Sequence, residues 1–317
     1  MQRISLERHQ VWIYLTAIGC GLLLGQQQPA LSHLAEPLLW PALILLLYTT
    51  FVQVPLLHLR AAFHDRRFML AALLGNFLLL PLLVWLLIQW LPDNPILRLG
   101  VLLVLLMPCT DWFITFTQLG KGSSAHALAL APILLLLQLL LLPVYIWLLG
   151  DLDQSLSGLG QQLLPALLVI LLPLLLAAIT ERWMEKQPQR LVWREHLGWG
   201  PVPLLAGVIF LVASIQASEV LEVIQLLPHL VPVFIAFLLL APLLAKALTN
   251  LLRLPQAQGR TLAFSFGTRN SFVVLPLALA LPAGWELVAL VVVLQSLIEL
   301  LGMIVYLWWM PRLLTQK

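Results

Sequence analysis

Long apolar runs separated by short polar connections set the pattern of this chain. Ten runs, at roughly 11–28, 38–58, 68–91, 96–117, 125–149, 160–180, 201–217, 225–248, 261–281 and 285–310, are each close to the roughly 20 residues that a helix needs to cross a bilayer. They predict an all-α polytopic membrane protein with ten transmembrane helices. Two connections are longer than the rest, 150–162 and 181–200. The first divides the spans into five and five, and an odd number in each half makes the second half enter the membrane from the opposite side. That is the condition for two inverted five-span repeats, expected here over residues 1–155 and 156–317 of one integral membrane domain.

Composition gives the same reading on other grounds. Of 317 residues, 61% are hydrophobic and 10% charged, against about 25% charged in a soluble domain, so a water-facing surface has too little material. The net charge of +3 matters by its location. With the N-terminus in the cytoplasm, every Lys and Arg except Arg98 and Arg269 falls in an inner connection or at a terminus, while the outer loops hold Glu36, Asp93, Asp151, Asp153, Glu219, Glu222 and Glu286. This positive-inside asymmetry predicts both termini in the cytoplasm, and the inner (plasma) membrane is the expected location, with the lipid bilayer as the protein's surroundings. Reading Arg3, Arg8 and the run Val11–Gly25 as a cleaved secretory signal would leave nine spans and spoil the alternation. No basic and aromatic stripe is left for nucleic acid. Cys20 and Cys109 lie in apolar runs with no paired-Cys spacing, no two histidines stand four apart, and phosphate loops and paired catalytic carboxylates are missing from the sequence, so no enzyme, cofactor or metal site is expected.

Most runs are Leu-rich, but spans 4 and 9 are not. Span 4 reads VLLVLLMPCTDWFITFTQLGKG, with Pro108 in its middle, and span 9 reads RTLAFSFGTRNSFVVLPLALALP, with Gly267 ahead of a polar cluster. Pro removes a backbone donor and Gly loosens a helix, so Pro108 and Gly267 are the expected helix breaks. Freed backbone groups persist at membrane depth only when buried in protein or lining a wet cavity. Broken helices in corresponding positions of two halves point to a midplane binding site, and Cys109, Thr110, Asp111, Arg269 and Asn270 are its candidate substrate-binding residues. Asp111, Arg269 and Glu299 are the charges inside spans, where each costs at least about 2.5 kcal/mol on insertion scales. Two readings of Asp111 and Arg269 stand: an ion pair locking the crossing, or a functional pair in which Arg269 attracts an anion or replaces a bound cation while Asp111 exchanges a proton. Glu299 follows Gln295 and Ser296 by one turn, which suits hydrogen bonding or proton coupling. Cys109 is either a small core residue or a soft ligand for a thiophilic solute.

With Pro108-Cys109-Thr110 in span 4, Lys121-Gly122 at its end, Asn270 after small and polar residues in span 9, and an acid at Glu299 within SLIELLGMIVY, the chain resembles the bile acid:sodium symporter superfamily, and within it the arsenite-efflux permeases. The resemblance implies broken, crossing helices from spans 4 and 9 packed against a panel of other spans, with alternating access between them. It implies a secondary active antiporter for arsenic resistance, extruding arsenite or antimonite in exchange for protons, with Cys109 as the thiophilic contact and an acid at Glu299; Asp111 and Arg269, which the permeases' pattern lacks, are expected as coupling residues from their own place inside the spans. A carrier of a small organic or inorganic anion is the alternative that Arg269 motivates, and a non-transporting receptor or assembly subunit is a further one. Sodium-coupled members carry Ser-Asn in span 4 where this chain has Phe113 and Ile114, and a Glu and a Gln in span 9 where it has Ser265 and Arg269. Dismantled sodium sites are therefore expected. Arsenite permeases typically have a Glu in span 9 near the place of Val273.

Overall fold

The structure, a computed structural model, describes residues 3–27, 29–56, 65–149 and 159–315. In an apolar solvent a chain can satisfy its backbone only internally, and helices are what these residues form. Among the described residues there is no strand, only one isolated antiparallel bridge, between Pro108 and Arg269. In chain order the α-helices are α1 (Arg3–Gln27), α2 (Pro29–Phe51), α3 (Arg66–Leu74), α4 (Leu80–Ile88), α5 (Pro95–Leu105), α6 (Trp112–Leu119), α7 (Ser124–Leu149), α8 (Leu159–Glu185), α9 (Val192–Leu197), α10 (Pro201–Ile215), α11 (Val220–Leu251), α12 (Gln256–Gly267), α13 (Ser271–Leu279) and α14 (Leu287–Leu313). A π-turn over Gly75–Leu79 joins α3 to α4.

Among the described residues, six helical stretches are long and apolar enough to cross a membrane by length and composition: Arg66–Ile88, Ser124–Tyr145, Leu167–Glu185, Gln189–Ile215, Ile224–Leu251 and Leu287–Leu313. The described residues are thus all-helical, with several apolar spans. Two of the expected spans, 96–117 and 261–281, are each a pair of helices with a gap, α5/α6 and α12/α13.

The chain divides into two compact units, and each draws on both sides of the expected 155/156 boundary, which itself lies outside the described residues. The first comprises Met1–Gln53, Leu156–Leu227 and Leu275–Val293. Here α1 lies against α10 at Gly21 and Gly25, spaced by four residues. A Cβ on Gly21 would come 2.5 Å from the Phe210 carbonyl oxygen, and one on Gly25 2.2 Å from that of Ser214, so glycine is what lets the two backbones approach. Tyr48 and Thr180 share a hydrogen bond of 3.0 Å between α2 and α8. The buried Glu181 pairs with Arg194 at 3.3 Å. Cys20 is exposed.

The second unit comprises Val54–Ser155, Pro228–Val274 and Leu294–Lys317. Helix α5 starts on a cap from Asn94, whose Oδ1 accepts from the amides of Ile96 (2.9 Å) and Leu97 (3.3 Å), with Pro95 in the first turn, where its missing N–H costs nothing. The N-terminal ends of α3, α7 and α12 meet in one polar cluster. Asp65 caps α3 by accepting from the Phe68 amide, and its other oxygen accepts from Gln258 of α12 at 2.7 Å. His126 of α7 lies 3.6 Å from that oxygen and shares a 2.7 Å hydrogen bond with Ser123.

Candidate functional site

Helix α5 ends at Leu105 because Pro108 cannot donate to the carbonyl a turn earlier. Helix α12 ends at Gly267, after which Thr268 is extended (φ −105°, ψ 140°). The two unwound segments, both in the second unit, satisfy each other. The Cys109 amide donates to the Thr268 carbonyl at 3.2 Å, and the Asn270 amide donates to that of Met107 at 2.8 Å. Pro108 and Arg269 are therefore the non-hydrogen-bonded pair of a two-residue antiparallel bridge. This is the register in which a proline fits, since the bridge asks nothing of its nitrogen. The same register leaves the Arg269 amide over, and it donates to Glu299 Oε2 at 2.8 Å.

Around the bridge the side chains interlock. Asn270 caps α13 by accepting from the Val273 amide at 3.3 Å, and its Nδ2 donates to Thr110 Oγ1 at 3.2 Å. Cys109 Sγ donates to Asp111 Oδ1 at 3.2 Å. Ser271 donates to Gln295 Oε1 at 3.2 Å, and Gln295 Nε2 donates to Glu299 Oε2 at 2.7 Å. Glu299 Oε1 is buried and has no hydrogen-bond partner. Cys109, Asp111, Trp112, Arg269, Asn270, Ser271 and Phe272 line a narrow cleft whose interior has no room for a water molecule. Trp112 and Phe272 meet edge to face across it, with ring centroids 5.0 Å apart. Thiol, carboxyl, amide, hydroxyl and two aromatic rings thus line one cleft.

The Arg269 guanidinium, 2% exposed, is committed elsewhere. Nη1 donates to the Leu105 carbonyl at 3.2 Å; Nη2 lies 2.6 Å from the Phe266 carbonyl, 3.1 Å from that of Ser265 and 3.3 Å from Asn76 Oδ1. The four acceptors are three backbone carbonyls and the Asn76 side-chain oxygen. Of the residues expected from sequence, Cys109, Asp111, Arg269 and Asn270 line the cleft. Thr110 lies buried behind it, Pro108 sits in the bridge, and Glu299 holds the backbone of Arg269. Gly267 is needed for packing: a Cβ there would come 2.3 Å from Cε2 of Tyr306.

Sequence reasoning missed Asn76. It sits in the π-turn, where its Nδ2 donates to the Ala72 carbonyl and to Ser265 Oγ, both in reach at 3.1 and 3.0 Å. The signal was available as a Gly-Asn pair inside the apolar run AALLGNFLLLP. Among the described residues no group of three or more His, Cys, Asp or Glu is placed to hold a metal.

A family model described as Sodium Bile acid symporter family matches residues 40–223, more than half of the chain. The chain belongs to the sodium bile acid symporter family. Members of that family are ion-coupled transporters and not enzymes, which makes this protein a multi-pass membrane protein of a family that moves small molecules. The match includes the first broken span, with Pro108, Cys109 and Asp111, and ends before the second. No curated protein matches the chain.

Proposed function

We propose that this sodium bile acid symporter family member is an antiporter of the inner membrane that extrudes arsenite or antimonite in exchange for protons. In this reading ten spans form two inverted five-span repeats with both termini in the cytoplasm. The observation that carries it is the thiol of Cys109 in the cleft at the broken helices, hydrogen-bonded to a carboxyl. Trivalent arsenic and antimony are soft centres that prefer sulfur ligands, and at neutral pH their hydroxides are uncharged. An uncharged solute suits a cleft whose guanidinium is already shared among four oxygens. Asp111 is the better proton carrier of the two carboxyls, because it is half-buried at the cleft, whereas Glu299 is occupied with the Arg269 backbone. That each compact unit draws on both halves of the chain supports two interleaved repeats.

A carrier of a small anion is the second reading, and one observation favours it. Arg269 lines the cleft, and its Nε is buried without a hydrogen-bond partner. Uptake into everted vesicles separates the two. We expect arsenite and antimonite to accumulate under an imposed proton gradient, Cys109→Ser to abolish the uptake at normal protein levels, and Cys20→Ser, on an exposed position, to leave it unchanged. Full uptake by the Cys109→Ser protein would overturn the thiol reading and promote the anion carrier.

A further inference from the structure

The last carbonyls of a helix have no intrahelical donors and carry the negative end of its dipole. In transporters with interrupted helices, such ends and the unwound carbonyls beside them are where coupling cations are held. Here two helices end side by side: Leu105 closes α5, and Ser265 and Phe266 lie in the last turn of α12. Asn76 adds a fourth oxygen from the π-turn. Its Nδ2 is bound to Ala72 and Ser265, which leaves Oδ1 facing the same place. Four oxygens thus converge, at 2.6 to 3.3 Å, on the two terminal nitrogens of one guanidinium. The face of the Phe237 ring closes the site at 5.2 Å.

We propose that Arg269 is a built-in coupling cation: its guanidinium fills a cation site at the paired helix ends, so this chain needs no sodium there. Sodium, the co-ion in the family's description, does not fit these residues. It would require the oxygens that the guanidinium holds, and it would meet a fixed positive charge with little water between them. A guanidinium stays charged at any physiological pH and cannot leave. The site is therefore always loaded, and reversible charge has to come from a carboxyl. Glu299 accepts from the Arg269 amide at 2.8 Å, so the side chain enters the site from a set backbone position.

The test needs no substrate, so its failure is distinct from failure of the arsenite reading. Thermal unfolding of the purified full-length protein in detergent is followed in sodium, potassium and choline chloride at equal ionic strength. Wild type should unfold at the same temperature in all three. Arg269→Ala should unfold several degrees lower and recover with millimolar guanidinium or sodium in a saturable way, as a ligand that binds only the native form must act, and not with choline. Arg269→Lys should fall between, because an ammonium reaches fewer of the four oxygens. If Arg269→Ala cannot be purified, Arg269→Gln, neutral but able to hydrogen-bond, carries the same comparison. Saturable stabilisation of wild type by sodium would overturn the proposal. So would neutral variants that respond to neither guanidinium nor sodium.

Discussion

At the scale of single residues, the two carboxyls near the broken helices do different things. Glu299 Oε2 accepts from a backbone amide and from Gln295, so its first task is to satisfy buried donors. Removing it leaves the Arg269 amide unpaired, at a cost of about 1–3 kcal/mol. Glu299→Ala should therefore lower thermal stability, while Glu299→Gln, which keeps an acceptor oxygen, should retain most of it and the pH profile of transport as well. Asp111→Asn is expected to do the reverse, with near-normal stability and a flattened pH profile. Stability measured by thermal unfolding and transport in vesicles across the pH range decide between them. An unchanged profile in Asp111→Asn together with a flattened one in Glu299→Gln would exchange the roles.

At the scale of elements, the breaks depend on close approach as much as on helix chemistry. The π-turn brings Gly75 under the ring of Phe266, where an added Cβ would lie 1.8 Å from Cζ. Gly75→Ala should thus cost about 1–3 kcal/mol through overpacking, and Phe266→Leu in the same chain should restore most of it. A Gly75→Ala protein as stable as wild type, by thermal or denaturant unfolding, would show that the π-turn tolerates a side chain there. The two breaks themselves are legible in the sequence. Pro108 and Gly267 interrupt apolar runs, and the polar residues that follow identify the cleft. The carbonyl site is not legible, because three of its ligands are backbone oxygens and the fourth, Asn76, is remote in sequence from Ser265, the residue it binds. No local pattern encodes where a guanidinium points. The cluster at the starts of α3, α7 and α12 is equally hidden, since Asp65, His126 and Gln258 come from three distant segments. Its pH behaviour follows from Asp65. The Phe68 amide bonded to its carboxyl holds it below the ordinary carboxylate range, against a smaller opposing effect of burial, and the Gln258 amide and His126 act in the same direction as Phe68. A carboxyl lowered in the folded state stabilises the protein above the unfolded value of about 4 and loses that contribution as pH falls through the folded one. Asp65→Asn, which keeps a capping oxygen, should therefore reduce stability at neutral pH and unfold with a shallower loss below about pH 4. Equal acid sensitivity of the two proteins in thermal unfolding would remove Asp65 from this account.

At the scale of the whole molecule, the proposed ten-span topology rests on where the cations lie. The one basic residue that this topology puts in an outer loop, Arg98, is paired with Asp93 at 3.0 Å, so it adds little to the outer charge that orients the chain. Arg269, the other exception, is buried among carbonyls and belongs to no loop. What remains is a set of exposed cations assigned to one side, among them Arg66, Lys121 and Arg253, and exposed acids assigned to the other, among them Asp93 and Glu286. Asp151, Asp153 and Glu222 fall where side chains are not described. Single cysteines placed at these exposed positions, in a chain with Cys20→Ser and the buried Cys109 retained, should react with an impermeant maleimide from opposite faces. Positions 66, 121 and 253 should label only in everted vesicles, and positions 93 and 286 only in intact cells. Because Arg66 and Asp93 flank a single apolar stretch, Arg66–Ile88, this pair is the most direct test. Labelling of both from the same face would mean that this stretch does not cross the membrane, and the inverted repeat would fall with it, since an even number of spans per half cannot invert the second half.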